Sequence, residues 1–229
     1  TMKATAVNDY SSKPKLYSFW LSSCSWRVRI ALALKNIDYT YIAVNVFKDD
    51  QLTSEYSRIN TSKLVPTLEI NGYTLTQSIP IIEYLEEKFP TPSLLPKEAH
   101  ARATARGIAQ IIAADIQPLQ NVRVVKHPSV KPITLEWRQH WITEGFESLE
   151  KILKTTSGKY CVGDTVTIAD ICLVPQVRNA RGFKVDMSRF PIITSIDTRL
   201  QKLDAFQQAL PENQPDALKG NVMSIRAKL

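Results

Sequence analysis

The run Leu21-Ser-Ser-Cys-Ser-Trp-Arg-Val-Arg-Ile-Ala-Leu-Ala-Leu-Lys35 constrains the fold of this chain more than any other. It follows Lys15-Leu-Tyr-Ser-Phe-Trp20, whose apolar and aromatic residues predict a strand over 15–20. Cys24, Val28, Ala31 and Leu32 fall on one face of a helix, and Ile30, Ala33, Leu34 and Ile37 fall on another. A helix over 23–35 that is apolar on two faces must be wedged into a core. Lys35-Asn36 ends it, because a cation suits the negative C-terminus and asparagine tolerates a left-handed cap. Two serines and a cysteine therefore sit on a helix N-terminus, with its unpaired N–H groups and partial positive charge. Such a turn can hold an anion or stabilise a thiolate, whether that of Cys24 or one brought by a ligand. Equally, Ser22 or Ser23 can serve only as a helix cap.

At 229 residues the chain has room for one large core or two modest ones. Its 44% hydrophobic and 22% charged residues argue against disorder. A formal net charge of +7 invites nucleic acid or an anionic membrane, but the basic residues are scattered and never run four together. Small acidic ligands account for that charge at least as well. Cys24, Cys161 and Cys172 cannot all pair and lack metal spacing, as do His100, His127 and His140; this predicts a reducing compartment. No apolar run approaches the ~18 residues of a membrane span. Residues 1–14, polar and without a secretory core, read as a flexible extension. Asn60-Thr-Ser62 matches a glycosylation sequon, which carries no meaning in a cytosolic protein.

After the first helix, residues 39–46 form a second strand apolar on both faces, as in a covered parallel sheet. That completes a βαβ unit. A short helix is expected around 52–58. Val65-Pro66 opens a strand over 66–70, and Asn71-Gly72 turns it into a hairpin with 73–76. Ser78 is the expected N-cap of a helix over 79–88, with Pro80 tolerated in its first turn and Gln77 beside it. The order β-α-β, β-β-α over 15–89 is thioredoxin-like. It puts two helix N-termini and the turn before Pro66 at one edge of the sheet, a natural pocket for an anionic, peptide-like ligand.

The three prolines of 89–96 mark a linker, placed at 90–97. An all-α domain follows over 98–215, with a helix over 98–126 kinked at Gln117-Pro118. Past the kink, Gln120-Asn121-Val122-Arg123 is polar enough to face a cleft or simply solvent. Further helices are expected over 134–154, after the near capping box Thr167-Ile-Ala-Asp170, and over 190–208. Asp170 is given no catalytic part. Arg178 and Arg181 lie on or just past the helix that Asp170 caps. Residues from Pro211 onward, and 216–229 above all, read as a loose tail.

Ser22-Ser-Cys-Ser-Trp-Arg-Val-Arg-Ile-Ala-Leu32, Val65-Pro-Thr-Leu68, Gln77-Ser78, Ile81-Ile-Glu-Tyr-Leu85, Ile116-Gln-Pro-Leu-Gln-Asn121, Tyr160-Cys-Val-Gly-Asp164 and Leu173-Val-Pro-Gln-Val177 together resemble the zeta class of the cytosolic glutathione transferases, the maleylacetoacetate isomerases. The resemblance runs over about 15–215. It implies a thioredoxin-like domain joined to an all-α domain, a homodimer, and glutathione as the catalytic cofactor with no metal. It places the ligand's γ-glutamyl end at Gln77 and Ser78, its cysteinyl backbone at Val65 ahead of a cis Pro66, and its glycyl side at Gln51. Its thiol falls near Ser22, Ser23 and Cys24, within a ligand-binding run that continues through Ser25, Trp26 and Arg27. Gln117, Asn121, Val122 and Arg123 contribute from the second domain or across a dimer interface.

The implied reaction is the glutathione-dependent cis–trans isomerisation of maleylacetoacetate to fumarylacetoacetate in phenylalanine and tyrosine catabolism. Glutathione transfer to haloacids would be a side activity, and a cytoplasmic location, with a mitochondrial pool left open, goes with it. Arg123, Arg178 and Arg181 are the candidates for the substrate carboxylate. Three residues depart from the class pattern: Gly182, where a basic residue is expected before Phe183; Asn36, where glycine is usual; and Arg123. The competing readings are a general detoxifying transferase, a Cys24-based thiol transferase, and a non-catalytic binding module. No partner CxxC cysteine supports the thiol transferase.

Overall fold

The computed structural model describes residues 12–125 and 134–218. They fall into two compact units, one comprising the chain up to Pro92 together with Ala205–Ala217, the other Ser93–Asp204 with Leu218. Most of the first fourteen residues lie outside the described region, as do the end of the tail, His127 and the end of the expected helix over 98–126. Lys13 is described, and its amine pairs with Asp38 at 2.7 Å.

The first unit is built on a four-stranded sheet in the order β2-β1-β3-β4. Strand β1 (Lys15–Ser18) leads into α1 (Ser23–Leu34) and then β2 (Thr40–Ala43), which pairs parallel to β1. The expected βαβ unit and the β-β-α that follows are both present. α1 is buried along most of its length, with Trp26, Val28, Ile30, Ala31 and Leu32 at 2% exposure or less. Asn36 takes a left-handed φ of 53°, as its position past the helix end requires. The Lys35 amine is buried and bonds Glu86 and the carbonyls of Phe89 and Pro92, so it ties the end of α1 to the linker. Strand β2 departs from expectation: it is an edge strand and only partly buried, because among the described residues no strand flanks it on its outer side.

A 3-10 turn (Asp50–Leu52) and α2 (Ser54–Ile59) precede β3 (Thr67–Ile70) and β4 (Tyr73–Thr76). Both hairpin residues have positive φ, Asn71 at 52° and Gly72 at 79°, matching the right-handed twist of the strands. Helix α3 (Ser78–Lys88) starts one residue earlier than expected. Gln77, at φ 68°, is its N-cap and makes no side-chain cap bond, and Ser78 is the first helical residue. The Ser78 hydroxyl is taken up elsewhere, by Arg27. Tyr17 pairs with Thr67, and Thr67 pairs with Thr76. The segments after β1, before β3 and after β4 therefore share one end of the sheet.

The second unit is helical. The expected 98–126 helix is four pieces: α4 (Ala99–Gln110), a π turn (Ile111–Ile116), a 3-10 turn (Pro118–Gln120) and the short α5 (Val122–Val125). The backbone widens before Pro118 and tightens after it, so the disturbance that proline causes is spread over a turn on either side. Helix α6 (Leu135–Thr156) buries Ile142, Phe146, Leu149 and Leu153 completely. Gly145 lets α6 pass Ile116, since a Cβ there would meet its side chain at 2.3 Å. Helix α7 (Ile168–Gly182) is capped as expected by Thr167 and Asp170, and Asp170 also accepts from the Cys161 N–H at 2.9 Å. Burial raises the Asp170 pKa from its ordinary value.

The expected last helix over 190–208 is two, α8 (Pro191–Leu200) and α9 (Asp204–Gln208). The chain from Ala205 to Ala217 groups with the first unit and carries a 3-10 turn at Pro211–Asn213. Arg29, 1% exposed, reaches Ala209 O as well as Ser18 Oγ, Phe19 O and Trp20 O. Asp216 accepts from Trp20 N at 3.1 Å and Tyr41 Oη at 2.6 Å. Up to Ala217, then, the expected loose tail is a strap fastened by buried polar groups. Desolvation lowers the Arg29 pKa to about 10.

Candidate active site

At the N-terminus of α1, Ser22 adopts extended backbone angles and its Oγ accepts from the Ser25 N–H at 3.2 Å. Serine is thus the cap, as the simpler reading had it. Its hydroxyl proton remains to be donated outward. Among the described residues no acceptor meets the N–H of Ser23 or Cys24, and no acidic residue lies in this first turn. Ser22 and Cys24 are half-buried and Ser23 is 7% exposed. The helix presents a hydroxyl, a thiol and unpaired N–H groups together, a set suited to a thiolate or another anion.

Ser25 and Trp26, expected in the ligand-binding run, turn inward at 0% and 2% exposure. The helical period carries them to the core side one turn after the cap. Arg27 is also buried, at 1% exposure, yet its Nη1 donates to Ser78 Oγ at 3.2 Å. Its Nε and Nη2 meet no partner among the described residues. A guanidinium buried without a carboxylate, beside a helix N-terminus that no side chain caps, is a site for an anion. Ser78 accepts from Arg27, so its own proton points to whatever that anion is. Gln77 is exposed beside it.

Val65 precedes the cis Pro66 that the resemblance implied. No acceptor among the described residues takes its N–H. It lies at the same sheet end as Ser22 and Ser78, so the structure brings these three expected groups together within the first unit. Gln51 lies in the 3-10 turn after Asp49; its Nε2 donates to Asp49 Oδ1 at 3.3 Å, and its Oε1 has no partner among the described residues. Tyr56, which drew no functional notice in the sequence, and Asn60, noticed only as part of a sequon, close over the turn before Val65. The Asn60 side chain is only 3% exposed, which removes it as a glycan acceptor.

In the second unit, Gln117 follows the π turn and Asn121 Oδ1 accepts from the Arg123 N–H at 2.9 Å. The Val122 side chain is outside the described set, and Arg123 is exposed. The turn between Gln117 and Asn121 is held from two sides. Trp137 Nε1 donates to Leu119 O at 2.9 Å, and the buried Gln120 Nε2 donates to Gln176 Oε1 at 2.6 Å. Arg178 and Arg181 both lie on α7. Arg181 is committed: its Nη1 pairs with the fully buried Asp197 at 2.6 Å, and Gln201 joins the same oxygen. That engagement weakens its candidacy for a substrate carboxylate. A cation the sequence did not single out, Arg138, lies 4.9 Å over the Phe183 ring, beside Gly182.

Two family models match the chain: the glutathione S-transferase N-terminal domain over residues 21–88 and the glutathione S-transferase C-terminal domain over 123–215. Maleylacetoacetate isomerase from Mus musculus is 52% identical over 208 residues, spanning 90% of this chain and 96% of the mouse protein. A holo structure of a bacterial zeta-class maleylpyruvate isomerase matches with a TM-score of 0.85 and 42% identity, over 89% of this chain and 100% of that one. Maleylacetoacetate isomerase from Anaeromyxobacter dehalogenans, solved with glutathione in its active site, matches at 0.82 and 38%, over 91% and 100%. The chain belongs to the glutathione S-transferase family, among its zeta-class maleylacetoacetate isomerases.

Proposed function

We propose that this chain isomerises maleylacetoacetate to its trans form with glutathione as a cofactor that is not consumed. The observation that carries the reading is the meeting, at one sheet end, of the uncapped α3 N-terminus with its buried Arg27, the unpaired Val65 N–H and the hydroxyl-bearing first turn of α1. Glutathione has one group for each: a free amino-acid carboxylate, a peptide backbone and a thiol. When bound, it supplies a thiolate that adds to the cis double bond and later leaves it, the bond being single and free to rotate in between.

The chain's own residues make that possible. Ser22 Oγ–H and the N–H groups of Ser23 and Cys24 favour the charged sulfur over the thiol, which is mostly protonated near neutral pH at a reference pKa of about 8.5. Arg27, through Ser78, and the α3 N-terminus hold the carboxylate, with Gln77 at that end of the ligand and Gln51 at its glycyl end; the resemblance adds Gln117, Asn121 and Val122, from the second domain or across a dimer interface. Arg123 and Arg178 are assigned to the substrate's carboxylate, with Arg138 added to them. A homodimer and a cytoplasmic location complete the reading. They are supported by the family and by three cysteines that are all free. Among the described residues no helix is long and apolar enough to cross a membrane.

The test is turnover of maleylacetone with and without glutathione. Isomerisation that requires glutathione and leaves its concentration unchanged is the expected result. Conjugation of a haloacid with no isomerisation would replace this reading by a detoxifying transferase.

A further inference from the structure

Four polar groups meet at the turn between α2 and β3, three of them on the buried side chains of Tyr56, Asn60 and Thr67. Tyr56 Oη lies 2.6 Å from Leu64 O and 2.9 Å from Thr67 Oγ1. Asn60 Nδ2 lies 2.8 Å from Leu64 O and 2.9 Å from Thr67 Oγ1. Only one assignment of protons satisfies them all. Asn60 donates one amide hydrogen to each oxygen, Thr67 donates its hydroxyl hydrogen to Tyr56, and Tyr56 donates its own to Leu64 O. The ring is closed and both lone pairs of Leu64 O are taken. Burial raises the Tyr56 pKa, which keeps the phenol a donor. Asn60 Oδ1 also accepts from the Ser62 N–H at 2.9 Å, which fixes the amide's orientation.

Leu64 C=O and Val65 N–H belong to one planar trans peptide, in which carbonyl and N–H point in opposite directions. A carbonyl gripped by two donors on the α2 side therefore turns the N–H away from α2. That N–H has no partner among the described residues. We infer that Tyr56 and Asn60 are positioning residues for glutathione: they clamp the Leu64 carbonyl and so aim the Val65 N–H at the ligand's main chain. The inference rests on the proposed glutathione reading and adds to it residues that never touch the ligand.

The test compares the wild-type chain with Tyr56→Phe and Tyr56→Phe/Asn60→Ala, by calorimetric titration with glutathione, thermal unfolding and isomerase kinetics. Because two donors share one acceptor, the single change leaves a partial clamp. The glutathione Kd is expected to rise about threefold for Tyr56→Phe and about thirtyfold for the double variant, more than two independent losses of this kind give. At saturating glutathione, kcat should stay within about twofold, since the α1 turn is untouched. The Val65 amide resonance of labelled protein should shift on glutathione addition in the wild type and shift less in each variant. Variants that unfold at lower temperature but keep the wild-type Kd and Val65 shift would overturn the inference and leave the network a structural one. Should the double variant fail to fold, the Kd and Val65 shift of Tyr56→Phe decide alone. A wild-type chain that binds no glutathione would instead sink the underlying reading, before any variant is compared.

Discussion

Replacing Arg27 by methionine should move ligand affinity and ligand-free stability in opposite directions. The guanidinium is 1% exposed, bonds Ser78 Oγ at 3.2 Å and meets no carboxylate among the described residues. A carboxylate accepting from Ser78 would sit roughly 6 Å from that charge, where attraction is worth about 3 kcal/mol at an effective dielectric of about 20. Losing it weakens glutathione binding roughly 100-fold. In the ligand-free chain the same charge is a burden, because an uncompensated buried ion costs several kcal/mol and apolar replacements of similar volume are often neutral or stabilising. The melting temperature without glutathione should hold or rise, by about 2–4 °C for each kcal/mol gained. The upward shift that glutathione gives the wild type should shrink at equal ligand concentration. Calorimetric titration and thermal unfolding read both quantities from one preparation. A variant that melts several degrees lower yet binds glutathione like the wild type would refute the reasoning and make Arg27 an ordinary core residue.

Ser22→Ala removes both a helix cap, at about 1 kcal/mol, and a donor to the sulfur. The acid limb of its pH–rate profile should move up toward the free thiol, while the alkaline rate recovers. Cys24→Ser should retain most isomerisation, and abolition of turnover would point to a mixed-disulfide mechanism instead. Arg178→Gln should raise KM for the diacid. Arg181→Gln should leave that KM near the wild-type value and lower the melting temperature, since it strips Asp197 of its cation at about 3 kcal/mol, the low end for a buried pair because Arg181 is 35% exposed. Asp216→Ala leaves Trp20 N and Tyr41 Oη without their acceptor, and denaturant titration should show a loss of about 2–3 kcal/mol.

Much of the fold could be read from local pattern because its signals are local. The hairpin at Asn71-Gly72, the cap at Thr167-Asp170 and the left-handed Asn36 each depend on residues within a few positions of one another. The misreadings came where distant chain decides. Residues 39–46 look covered on both faces, but whether a strand is central or at an edge depends on what pairs beside it. Pro211-Glu-Asn-Gln-Pro215 has the composition of a loose end. It is ordered by Arg29 and by the Trp20 and Tyr41 groups that meet Asp216, more than 170 residues away in the chain. The long helix after residue 98 shows an apolar period that a π turn disturbs too slightly for pattern to register.

The site divides the same way. Ser22 and Ser78 stand out because each opens a helix, and thioredoxin-like order sends those ends and the turn before Pro66 to one place; the part given to Val65 within that turn comes from the family resemblance. Side chains that act through a neighbour left no such mark. Asn60 stood inside a sequon, and only the structure shows its amide spent on Ser62, Leu64 and Thr67. Arg27 was expected to touch glutathione within a run of six residues, two of which, Ser25 and Trp26, turn into the core. Its importance lies in what it lacks. Among the described residues this buried guanidinium has one hydroxyl for a partner, next to a helix end that no side chain caps. Such an imbalance persists in a folded protein when a ligand removes it, and a pattern of letters cannot reveal that a charge is unpaid until the fold shows what surrounds it.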